Sequence, residues 1–409
     1  MKRFLILLTV VLLLVSACGR PKEEMPETPT APTETTEPLP PPTIDQTDYS
    51  ARLDDLFNVL PNEESSFEFT VFNGTATVTD YTGNGGAVRV PDTLGGAPVT
   101  AIGDGAFADR DDIQTLIFPD TVTEFGKEIL KGTALTAFRT PFPTGEENGF
   151  LGYFWGAATD RDNALPILRS LKYLEIRRSA QTEEAFVLRH HALYDCTDLV
   201  AVRLPSMTQV GERAFFGCKN LRYLNADAIY EIGDYAFCGC SKLQTLSFGA
   251  VLSRVGFAAL QDCNELMELT LPFIGGSRIE NTYLGYLFGA ETPAFSEKFY
   301  SPYLQKVTLS EGCSELPDFA LFECRSLQTI ILPETLTVIG ARALSGCTAI
   351  QEITLPDACK TIKDAAFAGC TELESVIMEN ATLGDISLGV NVFLGTKFPI
   401  LAIEPNPFK

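Results

Sequence analysis

One short string constrains this chain more than anything else in it. Ala-(Phe/Leu)-x-x-Cys recurs seven times, over Ala192–Cys196, Ala214–Cys218, Ala236–Cys240, Ala259–Cys263, Ala320–Cys324, Ala343–Cys347 and Ala366–Cys370, with a period of 22 or 23 between adjacent copies. Degenerate copies stand at Ala106-Phe107, Ile129-Leu130 and Val392-Phe393. Three residues after each cysteine a second string begins, apolar-x-x-apolar-x-apolar, as at Leu327, Ile330 and Leu332. Eleven such starts occur, at Ile113, Leu135, Leu171, Leu199, Leu221, Leu243, Leu266, Leu304, Leu327, Ile350 and Leu373. A unit this small cannot bury its own apolar face, so neighbouring units must stack into a continuous core.

The spacing dictates the shape of one coil. Alternate side chains of a strand share a face, so Ile330 and Leu332 point inward while Thr329 and Ile331 point outward. Proline six residues after the start closes six of the strands, at Pro119, Pro141, Pro205, Pro272, Pro333 and Pro356, because proline cannot donate to a ladder. Apolar-Gly pairs such as Ile232-Gly233 and Ile339-Gly340 then predict a tight turn. The Ala-Phe-x-x-Cys stretch is expected to return the chain as a short helical turn. The predicted fold class is a β-rich repeat solenoid with a minor helical component: about eleven coils of 22–23 residues, with a parallel sheet on one side.

These features resemble the BspA-like leucine-rich repeat family of microbial cell-surface proteins. The resemblance rests on the strand pattern, the Leu-Pro stops, the Ile-Gly turns and Ala214-Phe215-Phe216-Gly217-Cys218, and covers roughly Phe67 to the C-terminus. It implies a surface-displayed, non-catalytic solenoid that binds or adheres to a host, matrix, glycan or neighbouring-cell molecule. Phe67–Val71 and Thr75–Thr79 flank Asn73-Gly74, a strong type I′ hairpin signal; with Thr82–Val90 and Gly95–Ile102 they predict a cap over the solenoid's first edge. Just before it, Leu53, Leu56, Phe57 and Leu60 sit at helical spacing, which fits either a short docked helix or a frayed linker end.

Two intervals break the rhythm, 36 residues from Leu135 to Leu171 and 38 from Leu266 to Leu304. Phe150–Ala157 in the first mirrors Tyr283–Ala290 in the second, 133 residues later, and Leu171 maps onto Leu304 at the same offset. The chain is therefore one domain with a duplicated super-repeat. Each insert, near 142–170 and 275–303, is expected to form a short aromatic-rich helix and loop beside the stack.

The first residues read as an address. Lys2 and Arg3 precede the apolar run Phe4–Val15, too short to span a bilayer, which needs about 20 residues, and suited to a signal peptide. Val15-Ser16-Ala17-Cys18 resembles the bacterial lipobox, which implies that Cys18 is diacylated and becomes the mature N-terminus; ordinary secretion with a chance cysteine is the plainer alternative. Arg20–Asp48 holds eight prolines and seven threonines, a composition that stays extended and reaches at most about 90 Å. The expected organisation is a signal peptide over 1–17, a lipid-anchored linker over 18–48, a cap over 49–98 and the solenoid over 99–409. The expected location is the outer side of the cell membrane.

Composition removes several functions. With 31 Lys+Arg against 53 Asp+Glu and a net charge of −22, the chain repels phosphate backbones, so nucleic acid is not an expected partner. His190 and His191 are its two histidines, adjacent in one repeat return, with no second group to complete a triad or zinc site. No glycine-rich phosphate loop or calcium loop appears. No enzyme activity, cofactor or metal is expected, and the acidic knot Asp109, Asp111, Asp112 reads as solvated charge.

Two surfaces remain as candidates. On successive predicted strands Arg139, Tyr173, Glu175, Arg203, Tyr223 and Asn225 point outward, and strands about 4.8 Å apart would join them into one patch; arginine and tyrosine are common binding anchors. The same face further along is Thr270, Thr308, Thr329 and Thr354, which reads as generic sheet surface. The second surface is the inserts, where Tyr153, Trp155 and Tyr286 could meet a glycan or peptide if exposed, or simply cover the solenoid's flank. The competing function is a structural or accessory envelope lipoprotein with no external ligand.

The repeat cysteines at the seven positions are expected as a buried ladder of free thiols, acting as small hydrophobes. Stacked parallel side chains hold the Cβ atoms farther apart than the usual disulfide value of about 3.8 Å. Cys313 and Cys359 occupy the slot of Leu336 and should be core. Cys238 shares a variable outward column with Tyr194, Phe216 and Ala368 and is the thiol expected to be exposed.

Overall fold

The computed structural model describes residues 40, 42–142, 149–162, 170–179 and 185–399; the proposed signal peptide, Cys18 and most of the proline-rich linker lie outside them. All eleven predicted starts lead into strands of a parallel front ladder. Gly86–Arg89, Ile113–Ile117, Ala137–Pro141, Tyr173–Arg177, Ala201–Arg203 and Tyr223–Leu224 form the first sheet of this ladder. Thr245–Ser247, Glu268–Leu271, Lys306–Leu309 and Thr329–Ile331 form the next, and Glu352–Thr354 pairs with Ser375–Ile377. The predicted phase holds: Ile330 and Leu332 are buried while Thr329 and Ile331 are exposed.

The apolar-Gly pairs do something other than turn. The residues before glycine form a second set of short parallel strands, including Thr208–Val210, Ile229–Ile232 and Arg254–Val255, then Val338–Ile339 and Ser387–Leu388. Gly211 and Gly233 do not have positive φ. A Cβ on Gly211 would lie 2.6 Å from the His190 amide nitrogen, and one on Gly233 2.5 Å from that of Glu212. Close approach of consecutive coils, and not turn geometry, selects glycine in this column.

The Ala-Phe-x-x-Cys return is not helical either. Each return is a pair of tight turns with one left-handed residue before the alanine and one before the cysteine, as at Arg213 (φ 53°) and Gly217 (φ 74°). Alternate amides then bond the next coil: Arg213 to Asp234 O at 3.0 Å, Phe215 to Ala236 O at 2.8 Å and Gly217 to Cys238 O at 2.8 Å. A helix would satisfy those amides internally and leave the coil nothing with which to stack.

The ten cysteines in the described residues are free and buried. The return ladder leaves the carbonyls of Leu193, Phe215 and Phe237 facing the core, where the thiol of the next coil's cysteine donates to each: Cys218 at 3.1 Å, Cys240 at 3.3 Å and Cys263 at 3.3 Å. Cysteine thus supplies small apolar volume and a weak donor together. Cys238, expected on the outside, is only 5% exposed, and burial pushes its thiol up to about 12.

The cap forms as expected. Phe67–Phe72 and Thr75–Tyr81 make an antiparallel hairpin, with Asn73 (φ 48°) and Gly74 (φ 81°) in the left-handed pair that a type I′ turn needs. The free edge of Gly86–Arg89 is closed by Asn62, whose side-chain oxygen accepts from the Arg89 amide at 2.8 Å and whose own amide donates to Arg89 O at 2.9 Å.

The described aromatic segments of the inserts lie in the stack, not beside it; 143–148 and 163–169 of the first insert lie outside the described residues. Leu151–Trp155 and Leu284–Phe288 are matching 3-10 turns, ended by left-handed Gly156 and Gly289. Leu130 N donates to Phe154 O at 2.8 Å and Leu151 N to Ala192 O at 2.8 Å. Leu260 and Leu284 do the same with Leu287 O and Ala320 O, each at 2.7 Å. Each insert is a coil whose return has been rebuilt.

Candidate functional site

The outward patch predicted on the front ladder exists, and the chain covers much of it with its own N-terminal segment. Helix α1 (Tyr49–Phe57) lies across it, capped by the Asp48 carboxylate, which accepts from the Ala51 amide at 2.9 Å. Leu53 and Phe57 are buried among Ile117, Ala137, Tyr173 and Ala201, each burial worth about 1.5–3 kcal/mol. Of the two sequence alternatives, the docked helix is the one that forms. Leu56 is half-buried, and Leu60, past the helix end, is 86% exposed.

Polar contacts fix the direction of this strap, 42–59. The Arg203 guanidinium donates to Asp54 Oδ1 at 2.7 Å and to Ser50 O at 2.8 Å. The Arg52 guanidinium sits 4.9 Å over the Tyr173 ring, and Tyr49 stacks on Tyr223 at 6.3 Å. Arg222 donates to Asp45 at 3.2 Å. Hydrogen bonds from Thr47 and Tyr49, with the Arg222 charge, lower the Asp45 carboxyl to about 2. At its beginning the strap is held by Gln244, whose Oε1 accepts from the Asp45 amide at 2.7 Å and whose Nε2 donates to Thr43 O at 3.2 Å. The strap therefore runs opposite to coil order, from Gln244 back to Arg89, where Val59 O accepts from the Arg89 guanidinium.

The strap and the ladder itself use much of the predicted patch. Tyr173 and Glu175 are 6% and 3% exposed, so neither is available on the surface. Glu175 is the hub of a cluster with Arg177 at 3.2 Å, Arg203 at 3.4 Å and Arg139 at 3.8 Å; a carboxylate this buried requires such pairing. Asn225 serves the ladder directly. Its side-chain oxygen accepts from the Leu204 amide at 2.7 Å and its nitrogen donates to Leu204 O at 2.9 Å, replacing ladder bonds where Tyr223–Leu224 ends. The sequence reading missed the strap's contribution and Arg177. The signal for the strap was the spacing of Leu53 and Phe57.

The insert aromatics are mostly core. Trp155, expected as a binding aromatic, is 3% exposed, with its indole nitrogen donating to Thr133 Oγ1 at 3.1 Å, so it offers no free face to a ligand and packs the core instead. Tyr153 is half-buried between Phe150 and Phe154. Tyr286 is half-buried against Phe257 and Tyr283. His190 also has a structural place: its Nδ1 accepts from the Glu212 amide at 3.1 Å, the role Asp234 plays toward Phe257 at 2.8 Å. Among the described residues no group of acids, cysteines and histidines could hold a metal, and no helix is long and apolar enough to cross a membrane.

Beyond the strap, the front face is open. Thr270 and Thr308 are half-buried and Thr329, Thr354 and Gln351 exposed. A groove of about 890 Å³ lies there, lined by Gln328, Ile331, Glu334, Gln351, Glu352 and Glu372 among others.

Comparison with known proteins places this architecture. No curated protein matches the chain. Among solved structures, a leucine-rich repeat protein from Bacteroides ovatus is 18% identical, covering 83% of this chain and 92% of its own, with a TM-score of 0.30. A leucine-rich cell surface protein from Faecalibacterium prausnitzii is 20% identical over 80% of this chain and 97% of its own, with a TM-score of 0.33. The pneumococcal vaccine antigen PcpA is 18% identical over 83% and 87%, with a TM-score of 0.30. A family profile described as the BspA type leucine rich repeat region matches residues 93–146, 171–284 and 295–405, in six copies. Proteins of this family are generally found at the cell surface, and such repeats are typically binding scaffolds. With more than half its length matched, the chain belongs to the BspA-type leucine-rich repeat family.

Proposed function

We propose that this protein is a cell-surface lipoprotein, held by lipid on Cys18, whose solenoid is a non-catalytic module that binds or adheres to an extracellular protein or glycan. The observation that carries this reading is the open half of the front ladder, where outward side chains from successive coils meet solvent and, among the described residues, no strap lies across them. Family membership and the basic, apolar, Cys18-ending leader support it. The absence of a catalytic constellation in the sequence argues against an enzyme.

A second reading is favoured by a specific observation. The aromatic and arginine-rich half of the same face is satisfied by the chain's own helix α1, as in a structural envelope lipoprotein that needs no external ligand. Capture from bacterial-surface and host-matrix extracts by the purified full chain, with whole-cell protease accessibility alongside, separates the two. Specific capture together with a protease-accessible solenoid is the expected result. A shielded solenoid that captures nothing overturns the binding reading. Loss of membrane retention in Cys18→Ala tests the anchor, and full retention would overturn it.

A further inference from the structure

The strap contains a general device. Gln244 holds an extended stretch of backbone by accepting one amide (Asp45) and donating to one carbonyl (Thr43), which recognises a peptide without reading its side chains. Its amide nitrogen also donates to Glu265 Oε2 at 3.3 Å, and Glu265 is in turn paired with Lys242.

The same position on later coils carries Gln305, Gln328 and Gln351, since Thr245 is in register with Glu268, Lys306 and Thr329 and the next strand begins at Glu352. Gln351 repeats the residue pattern and its spacing, without the bond from glutamine to glutamate. Glu372 follows it by 21 residues, as Glu265 follows Gln244, and Glu372 is paired with Lys397. Gln351 is exposed, and its side-chain amide has no protein partner among the described residues. Both residues line the groove of about 890 Å³. The groove is lined by Glu334, Glu352 and Glu372 and by no lysine or arginine, and Ile331, 45% exposed, gives it an apolar contact.

We propose that this groove is a second backbone clamp, which takes an extended, proline-free, basic segment of a partner protein across Gln351. The inference rests on the binding-module reading and names the partner's chemistry. Continuity supports it: the occupied clamp at Gln244 and the open one at Gln351 lie on one ladder. Glu334 and Glu352, which unlike Glu372 are not already paired with a lysine among the described residues, select lysine or arginine, and the need for a backbone N–H excludes proline.

The test uses the full chain in detergent and two fluorescent peptides of alternating lysine and valine, about ten residues long; the second is N-methylated on alternate backbone amides. Anisotropy titration is expected to show the unmodified peptide binding at least about tenfold more tightly than its methylated twin. Gln351→Ala is expected to remove most of that difference while leaving the melting temperature unchanged, and Glu352→Gln to weaken both peptides and flatten their salt dependence. Equal affinity for the two peptides, or binding indifferent to Gln351→Ala, overturns the clamp. So does no binding of either peptide, an outcome that leaves the capture test of the binding-module reading intact.

Discussion

The two halves of the front ladder are built from the same repeat and end in opposite states. Over Ile117, Ala137, Tyr173 and Ala201 the outward positions are apolar or aromatic, and helix α1 buries them. Over Thr270, Thr308, Thr329 and Thr354 they are short and polar, and the face stays wet. The inward positions do not distinguish the halves: Leu174, Val202, Val307 and Ile353 are all buried. The core sequence thus makes the coil, while the outward sequence decides what the coil carries. Gln244 stands at the boundary.

The sharpest way to break this comparison is to detach the strap. In Leu53→Asp/Phe57→Asp two carboxylates would enter an apolar contact, and the lost burial of about 3 kcal/mol or more should free α1 without unfolding the coils. Tryptic cleavage after Arg52 is expected to accelerate by at least about 100-fold, with no change at Lys306. Equal cleavage of the parent would show that the strap does not protect this face. Next in size is Arg203→Ala, which removes the bonds to Ser50 and Asp54 and one partner of buried Glu175; a loss of about 1–3 kcal/mol is expected in urea unfolding. Lys306→Ala breaks a 3.6 Å pair with Glu268 between half-exposed side chains and should cost at most about 0.5 kcal/mol. Similar losses for the two would erase the distinction between covered and open halves.

The smallest effect is one of pH. The Asp45 carboxyl is held at about 2, below its ordinary 3.8, so its contribution to strap docking is complete above the ordinary value and is lost as pH falls through about 2. Amide exchange over residues 43–50, corrected for intrinsic rate, should rise across that interval in the parent and much less in Asp45→Asn. A flat profile in the parent would show that this carboxylate does not hold the strap.

Much of this was legible beforehand. The period, the strand phase, the hairpin at Asn73-Gly74 and the cysteine ladder follow from local rules that every coil repeats, so each error-prone signal was read many times over. What misled was any residue type with more than one physical use. Glycine after isoleucine suggested a turn, yet the column is small because neighbouring coils approach too closely for a Cβ. Ala-Phe-x-x-Cys suggested a helix, yet its amides are needed between coils. Tyr173, Glu175 and Trp155 had the chemistry of binding residues and proved buried: the helical spacing of Leu53 and Phe57 does not say which distant strands the helix covers, and Trp155 turns into the stack against Thr133 and Phe138.

The sequence by itself determined the solenoid, its direction, its duplicated halves and its cap, since stacking is the one way for a unit of this size to bury its apolar face. Only the tertiary structure decided which outward residues remain available. That outcome depends on Arg203 meeting Ser50 and Asp54, and Gln244 meeting Thr43 and Asp45, across about 150 to 200 residues of chain. Contacts of that separation are set by where the folded ladder places the strap, and no local pattern encodes them.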